Sequence, residues 1–137
     1  MKLLVSVRSV DEALLAAEGG ADFIDLKEPH FGALGGLPLA TIRSCVEALR
    51  DFKLPISATI GDVPMSAPDD IAERVRAVAD CGVDFVKVGI ERGDAAHGVL
   101  AMLAACGRPV VPVLIADRGL DAALVRCAAS LGFAGLM

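Results

Sequence analysis

Two short stretches of this sequence carry nearly the same residues and place charged side chains within a predicted strand. Residues 20–27 read Gly-Ala-Asp-Phe-Ile-Asp-Leu-Lys, and residues 82–89 read Gly-Val-Asp-Phe-Val-Lys-Val-Gly. Because successive strand residues point to opposite faces, Asp25 and Lys27 share one face of the first strand, and Lys87 lies on the corresponding face of the second. A carboxylate and two amines on a buried face are costly unless they are paired or used. The arrangement therefore indicates chemistry at an amine.

Lys27 is a candidate nucleophile. A lysine amine attacks a carbonyl group to form a Schiff base, a role that is favoured when the amine is desolvated near another cation. Lys87 could supply that cation or transfer protons itself. The alternative is a structural ion pair among Asp25, Lys27 and Lys87, and the spacing leaves both interpretations open.

The remaining sequence alternates short aliphatic stretches with helical patterns. Strands are predicted over residues 3–7, 23–28, 56–60, 85–90 and 110–115, and residues 134–137 would begin a sixth. Helices are predicted after a capping box at Ser9 and Glu12 and over residues 39–51, 68–82, 94–107 and 121–132. This unbroken order of strand and helix predicts a parallel α/β architecture.

The turn after the first strand favours a barrel over an open sheet. It reads Arg-Ser-Val-Asp, without the glycines that mark a nucleotide site in an open doubly wound sheet. Charged residues instead recur within or just after several strands, where a barrel collects its active site: Arg8, Asp25, Lys27, Asp62, Lys87 and Asp117.

A TIM (β/α)8 barrel needs eight units, whereas these 137 residues supply five and the start of a sixth strand. We therefore expect residues 1–137 to be the N-terminal part of a single TIM-barrel domain whose C-terminal strands are missing. A half-barrel that associates with itself is the alternative.

Composition and charge limit the kinds of partner and the cellular compartment that we expect for this protein. The formal charge of −5 argues against non-specific nucleic-acid binding. The longest apolar stretch, residues 110–116, is too short to cross a membrane, and the apolar start is interrupted by Arg8. Four widely spaced cysteines are interpreted as reduced core residues, and they share no metal-ligand spacing with the histidines. We expect a cytoplasmic protein without a metal.

Three further features are ambiguous. The loop over residues 29–38 contains Gly32, Gly35 and Gly36, which could cradle a phosphate or merely supply positive φ values. Ser57 and Thr59 could hydrogen-bond a substrate, but hydroxyls are common in strands. Asp117 could serve a site or cap the following helix.

Five segments together carry a family resemblance. They are residues 3–6 (Leu-Leu-Val-Ser), 18–22 (Glu-Gly-Gly-Ala-Asp), 25–29 (Asp-Leu-Lys-Glu-Pro), 32–35 (Gly-Ala-Leu-Gly) and 84–89 (Asp-Phe-Val-Lys-Val-Gly). In these segments the chain resembles the (5-formylfuran-3-yl)methyl phosphate synthase family, along its whole length and in order. The resemblance implies a TIM-barrel lyase that makes the furan of methanofuran-type cofactors from two molecules of glyceraldehyde 3-phosphate.

The resemblance also implies roles for individual residues. Lys27 would form the Schiff base, Lys87 would accept protons, and Asp25 would act as a supporting acid or base. No cofactor is implied, and a further lysine is expected on a later strand beyond residue 137. The expected partners are a phosphorylated triose and further copies of the chain.

Three other functions compete with this interpretation. A phosphosugar decarboxylase or epimerase barrel carries Asp-x-Lys-x-x-Asp, but here His30 stands in place of the second aspartate. Another class I aldolase acting on a sugar phosphate would use the same lysine chemistry. A non-catalytic half-barrel that works by assembly would contain no lysine of unusual reactivity.

Overall fold

The computed structural model describes residues 1–117 and 119–137, and within them each of five strands is followed by a helix. The strands are β1 (Leu4–Val7), β2 (Phe23–Leu26), β3 (Ile56–Thr59), β4 (Phe85–Ile90) and β5 (Val110–Leu114). The helices are α1 (Val10–Glu18), α2 (Leu39–Ala48), α3 (Pro68–Ala79), α4 (Ala96–Ala105) and α5 (Ala122–Ser130). The predicted order of elements is confirmed.

The five strands form one parallel sheet in the order β1-β2-β3-β4-β5, so each strand pairs with its neighbour in sequence. Parallel crossovers are right-handed, and the strand order never reverses, so all the helices lie on the same side of the sheet. Consecutive helices contact one another from α1 to α5. This is the topology of successive units of a TIM barrel, in which the face without helices becomes the interior.

Several predicted boundaries differ from the structure by one to three residues, and two differences concern a strand and a helix end. Residues 134–137 do not form a strand, although Met137 hydrogen-bonds to β5 by donating to the carbonyl of Pro112 and accepting from Leu114. The second helix was expected to reach residue 51, but α2 ends at Ala48 and a 3₁₀ turn over Arg50–Phe52 follows it. Lys53 then reverses the chain with a positive φ of 54°.

The main core lies between the sheet and the helices, on the face that sequence alternation assigned to it. The outward side chains of β2 and β4 are almost completely buried there: Ile24, Leu26, Val86, Val88 and Ile90. Cys45 and Cys81 belong to this core, and burial raises the pKa of both thiols. Within the described residues, no helix is both long and apolar enough to cross a membrane.

The two similar segments, residues 20–27 and 82–89, have the same structural role. Gly20 and Gly82 have φ values of 90° and 94° just after a helix, a conformation that favours glycine. Two residues later, the carboxylates of Asp22 and Asp84 each accept a hydrogen bond at 2.8 Å from a backbone N–H at the start of the preceding strand. For Asp84 that donor is Ile56, the first residue of β3. In each segment the aspartate thus holds the start of the preceding strand beside the strand that follows the aspartate.

Replacing Asp84 with alanine should therefore destabilise the fold. The backbone N–H of Ile56 would lose a charged acceptor, and we expect the free energy of unfolding to fall by about 1–2 kcal/mol. Urea unfolding measures the change. Asp80→Ala is the matched control, since it removes only an exposed ion pair with Arg108 and exposed pairs contribute little. Equal stability of the two variants would contradict the assigned role.

Candidate active site

A buried ion pair joins the two similar segments, residues 20–27 and 82–89. Nζ of Lys87 lies 2.9 Å from Oδ1 of Asp25, and the two side chains are only 6% and 4% exposed. The residues occupy equivalent positions of β2 and β4, and β3 runs between these strands. The prediction that both side chains share the inner face of the sheet is confirmed.

Two hydroxyl groups complete the surroundings of the Asp25 carboxylate. Ser57, on β3, donates to Oδ1 at 2.6 Å, and Ser6, on β1, donates to Oδ2 at 3.2 Å. An ionised carboxylate can only accept, so the two hydroxyls and the Lys87 ammonium together satisfy it. Within the described residues, no buried polar side-chain atom lacks a partner.

These serines are the residues that sequence reasoning missed as partners of Asp25. The sequence indicates Ser57 only as a possible ligand for a substrate and indicates no role for Ser6. Both stand directly opposite Asp25 in the strand register, one on each side. Aligning the strands by their inner-face residues would have found them.

Lys27 faces the same cavity as the ion pair without belonging to it. The side chain is half-buried and lines a cavity of about 270 Å³ together with Asp25, Lys87 and Ser6. We call this space the lysine cavity. Among the ion pairs of residues 1–117 and 119–137, none involves Lys27. Of the structural alternative, an ion pair among all three residues, the structure contains the pair of Asp25 with Lys87 and does not include Lys27.

The register sets the spacing between the two amines. Thr59 lies opposite Lys87, and one further step of the β2–β3 register places Lys27 opposite Thr59. Two strand spacings separate the backbones of the lysines, which is roughly 10 Å. Both lysines line the same cavity, so one small molecule there could meet both side chains.

An aromatic stack lies below the charged residues on the same face. Phe23 and Phe85 precede Asp25 and Lys87 by two residues, and their ring centroids are 5.9 Å apart with an interplanar angle of 26°. Since both rings come from the N-terminal ends of their strands, they lie on the opposite side of the ion pair from the strand ends where barrel active sites form. The aromatic rings thus close the side of the ion pair that faces away from the strand ends.

The loop over residues 29–38 is packed against the strand ends. The carbonyl of Gly35 accepts hydrogen bonds from Thr59 Oγ1 at 2.9 Å and from the backbone N–H of Glu28 at 2.8 Å. A Cβ at Gly35 would lie 2.1 Å from the carbonyl oxygen of Glu28, and one at Gly36 would lie 3.0 Å from the backbone nitrogen of Gly61. Close packing therefore explains these two glycines, and a positive φ explains only Gly32. The phosphate cradle remains a prediction.

The other charged residues that sequence analysis selected lie outside the lysine cavity. Arg8 pairs with Glu12 at 3.2 Å on the surface. Asp62 and Asp117 line a second cavity of about 490 Å³ at the ends of β3, β4 and β5, which we call the mouth cavity. The helix cap that Asp117 could have formed is supplied by Asp121, which accepts from the backbone of α5 at 2.8 Å.

His30 lies outside the lysine cavity. His30, which stands where a decarboxylase or epimerase needs an aspartate, lies on the surface with Nδ1 2.7 Å from Glu28 Oε1. Across residues 1–117 and 119–137, no group of three or more histidine, cysteine, aspartate or glutamate side chains could hold a metal ion.

Comparison with known sequences identifies similar proteins. A family model described as 4-HFC-P synthase matches residues 3–137. The (5-formylfuran-3-yl)methyl phosphate synthase of Methanopyrus kandleri is 42% identical over 109 residues, which cover 80% of this chain and 45% of the relative. A protein of Methylorubrum extorquens, provisionally given the same name, is 39% identical over 136 residues, covering 99% of this chain and 56% of the relative. The chain thus spans about half the length of these curated relatives.

Comparison with solved structures confirms the barrel fold. The CutC protein of Streptococcus agalactiae superposes with a TM-score of 0.79 at 14% identity, covering 99% of this chain and 71% of that one. A dihydrodipicolinate synthase of Agrobacterium tumefaciens gives 0.75 at 13% identity, covering 98% and 53%. At such identities the likeness establishes the fold alone. The chain forms a partial TIM barrel, as the sequence predicted.

Ser57→Ala should weaken the protein, because it removes a buried hydrogen bond to a charged group. We expect the free energy of unfolding to fall by about 1–3 kcal/mol. Ser44→Ala provides the control, since Ser44 is exposed and donates only to a carbonyl of its own helix, and it should change stability by less than about 0.5 kcal/mol. Urea unfolding of both variants measures these free energies. If Ser57→Ala is as stable as the unchanged protein, the hydroxyl does not support Asp25.

Proposed function

This chain belongs to the 4-HFC-P synthase family, and on that basis we propose that the protein condenses two molecules of glyceraldehyde 3-phosphate into (5-formylfuran-3-yl)methyl phosphate through a Schiff base on Lys27. The lysine cavity carries this proposal. Lys27 lines it outside the ion pair, while Lys87 is held by Asp25 a short distance away. The proposal assigns the first amine to the carbonyl group, and the second amine with its carboxylate to proton transfer.

Atom balance defines what the site must accomplish. Two triose phosphates contain six carbons and two phosphates, whereas the product contains six carbons and one phosphate. One carbon–carbon bond must therefore form, and one phosphate and two molecules of water must leave. No electrons are gained or lost overall, so the reaction needs no redox cofactor.

Lys27 would supply the electron sink. Its uncharged amine attacks the carbonyl carbon of the first triose, and the carbonyl oxygen leaves as water. The protonated imine nitrogen then withdraws electrons, so a proton can leave the adjacent carbon, and that carbon attacks the aldehyde of the second triose. Hydrolysis or elimination at the end returns the Lys27 amine.

Lys87 and Asp25 would handle the protons of these steps. An ammonium group must release a proton before it can accept one, and the Asp25 carboxylate at 2.9 Å is placed to take it. The Lys87 amine would then accept the proton from the carbon next to the imine. Because Ser6 and Ser57 fix the carboxylate, this transfer would occur along one defined direction.

Lys27→Arg in the full chain should abolish both product formation and the borohydride-trapped adduct with glyceraldehyde 3-phosphate. A guanidinium group keeps the positive charge but cannot form a Schiff base. Intact-mass spectrometry detects the adduct, and Lys53→Arg, which changes an exposed lysine, controls for surface reaction. A persistent adduct in Lys27→Arg would remove Lys27 from the mechanism.

Lys87→Met should leave some trapping on Lys27 but reduce turnover by about 10²–10⁴-fold, since a proton-transfer group is lost. The variant also leaves the Asp25 carboxylate buried without its cation, which should cost about 3–5 kcal/mol of stability.

The double variant Asp25→Asn/Lys87→Met separates these two effects. It removes both charges, so it should recover much of the stability, measured by urea unfolding, but none of the turnover. Near-normal turnover in Lys87→Met would assign Lys87 a structural role only.

A further inference from the structure

Leu34 is a buried leucine that is not part of the main core. It lies on the loop after β2 and is 8% exposed, but it is not among the buried residues packed between the sheet and the helices. Its side chain instead lines the lysine cavity on the inner face of the sheet. A leucine in this position is buried against the site.

Gly89 provides the space that Leu34 occupies. A Cβ at Gly89 would lie 2.5 Å from Cδ1 of Leu34, which is closer than real atoms approach. Gly89 does not have a positive φ, so its backbone conformation would allow other residues. Since Gly89 follows Lys87 by two residues on the same face of β4, Leu34 rests directly beyond the Lys87 position, towards the strand ends.

The backbone around Leu34 is held on its C-terminal side. The carbonyl of Gly35 is bound by Thr59 and by the backbone of Glu28, and Gly36 packs against Gly61 with no room for a side chain. The loop therefore cannot shift outward without breaking buried hydrogen bonds. This fixes the position of the Leu34 side chain.

Leu34 also borders two cavities. The lysine cavity on one side contains Lys27, and the mouth cavity on the other contains Asp62 and Asp117. Residues that border both cavities are Ala33, Leu34 and Ile115. Of the two that lie on this loop, only Leu34 has a side chain large enough to form a wall.

We propose that Leu34 is a specificity-determining residue that limits the length of the carbonyl compound able to form an imine with Lys27. The inference rests on the proposed reaction of Lys27 with a carbonyl group and adds a size limit to it. A chain about as long as glyceraldehyde 3-phosphate, which has six atoms from the aldehyde carbon to a phosphate oxygen, would be accommodated on the lysine side of Leu34, whereas a longer chain would have to displace Leu34 from Gly89. With alanine at position 34, the two cavities would join and longer chains would extend into the mouth cavity.

The test is reductive amination of the full chain with cyanoborohydride and linear aldehydes from propanal to decanal, a series that extends beyond the length of a triose phosphate. Peptide mapping gives the labelling of Lys27 relative to the exposed Lys53. In the unchanged protein this ratio should fall as the aldehyde lengthens. In Leu34→Ala the ratio for the longer aldehydes should rise roughly tenfold or more, the discrimination that a few methylene groups give in an apolar site, while the ratio for propanal stays the same.

Leu37→Ala is the matched control. Leu37 is on the same loop and 4% exposed, but it belongs to the main core and borders neither cavity. This variant loses a buried leucine too, and it should keep the length dependence of the unchanged protein. If Leu34→Ala does not fold, Leu34→Val should show a smaller rise in the same direction.

Several results would overturn the proposal. They are an unchanged length dependence in Leu34→Ala or Leu34→Val, an equal change in Leu37→Ala, or failure of Lys27 to react even with propanal.

Glyceraldehyde 3-phosphate with borohydride, applied to the same proteins, tests the proposed function separately. If Lys27 reacts with propanal but never with the triose phosphate, the proposed function fails. The role of Leu34 is then still decided by the aldehyde series.

Discussion

Two opposite charges, on Lys87 and Asp25, are removed from water inside the barrel. The surrounding residues offset the cost of burying them by supplying hydrogen bonds. A buried ion pair is stable only when its remaining hydrogen-bonding capacity is satisfied. That need explains why β1 and β3 present Ser6 and Ser57 towards Asp25. The pair spans β3 and, through Ser6 and Ser57, connects the inner faces of four neighbouring strands.

The fold divides stability and chemistry between the two faces of one sheet. The outer face buries aliphatic side chains against the helices, while the inner face carries the buried polar and charged groups of the described chain: Asp25, Ser57, Thr59 and Lys87. The inner groups are arranged along the strands, with the aromatic stack below, the ion pair in the middle and Leu34 beyond it. Lys27 remains outside the pair because Asp25 is already committed to Lys87. With one carboxylate between two lysines, Lys87 is paired with Asp25, and Lys27 has no ion pair among the described residues.

Local patterns were sufficient to predict much of this arrangement, and long-range packing explains the rest. Alternation placed Asp25, Lys27 and Lys87 on one face, because that depends only on the period of a strand. The pairing of Asp25 with Ser6 and Ser57 depends on register between strands, which residue spacing alone does not give. The glycines at 35, 36 and 89 depend on how closely a loop approaches two strands, and the sequence suggested a positive φ or a phosphate for two of them. Residues 134–137 lacked a strand because Met137 alone hydrogen-bonds to β5.

We propose that Asp25 reserves Lys87 for proton transfer and leaves Lys27 to form the imine. The most direct measurement is a peptide-mapped mass spectrum of the unchanged full chain after glyceraldehyde 3-phosphate and borohydride. The account predicts a triose-derived adduct on Lys27 and an unmodified Lys87. An adduct on Lys87, or on neither lysine, would contradict it.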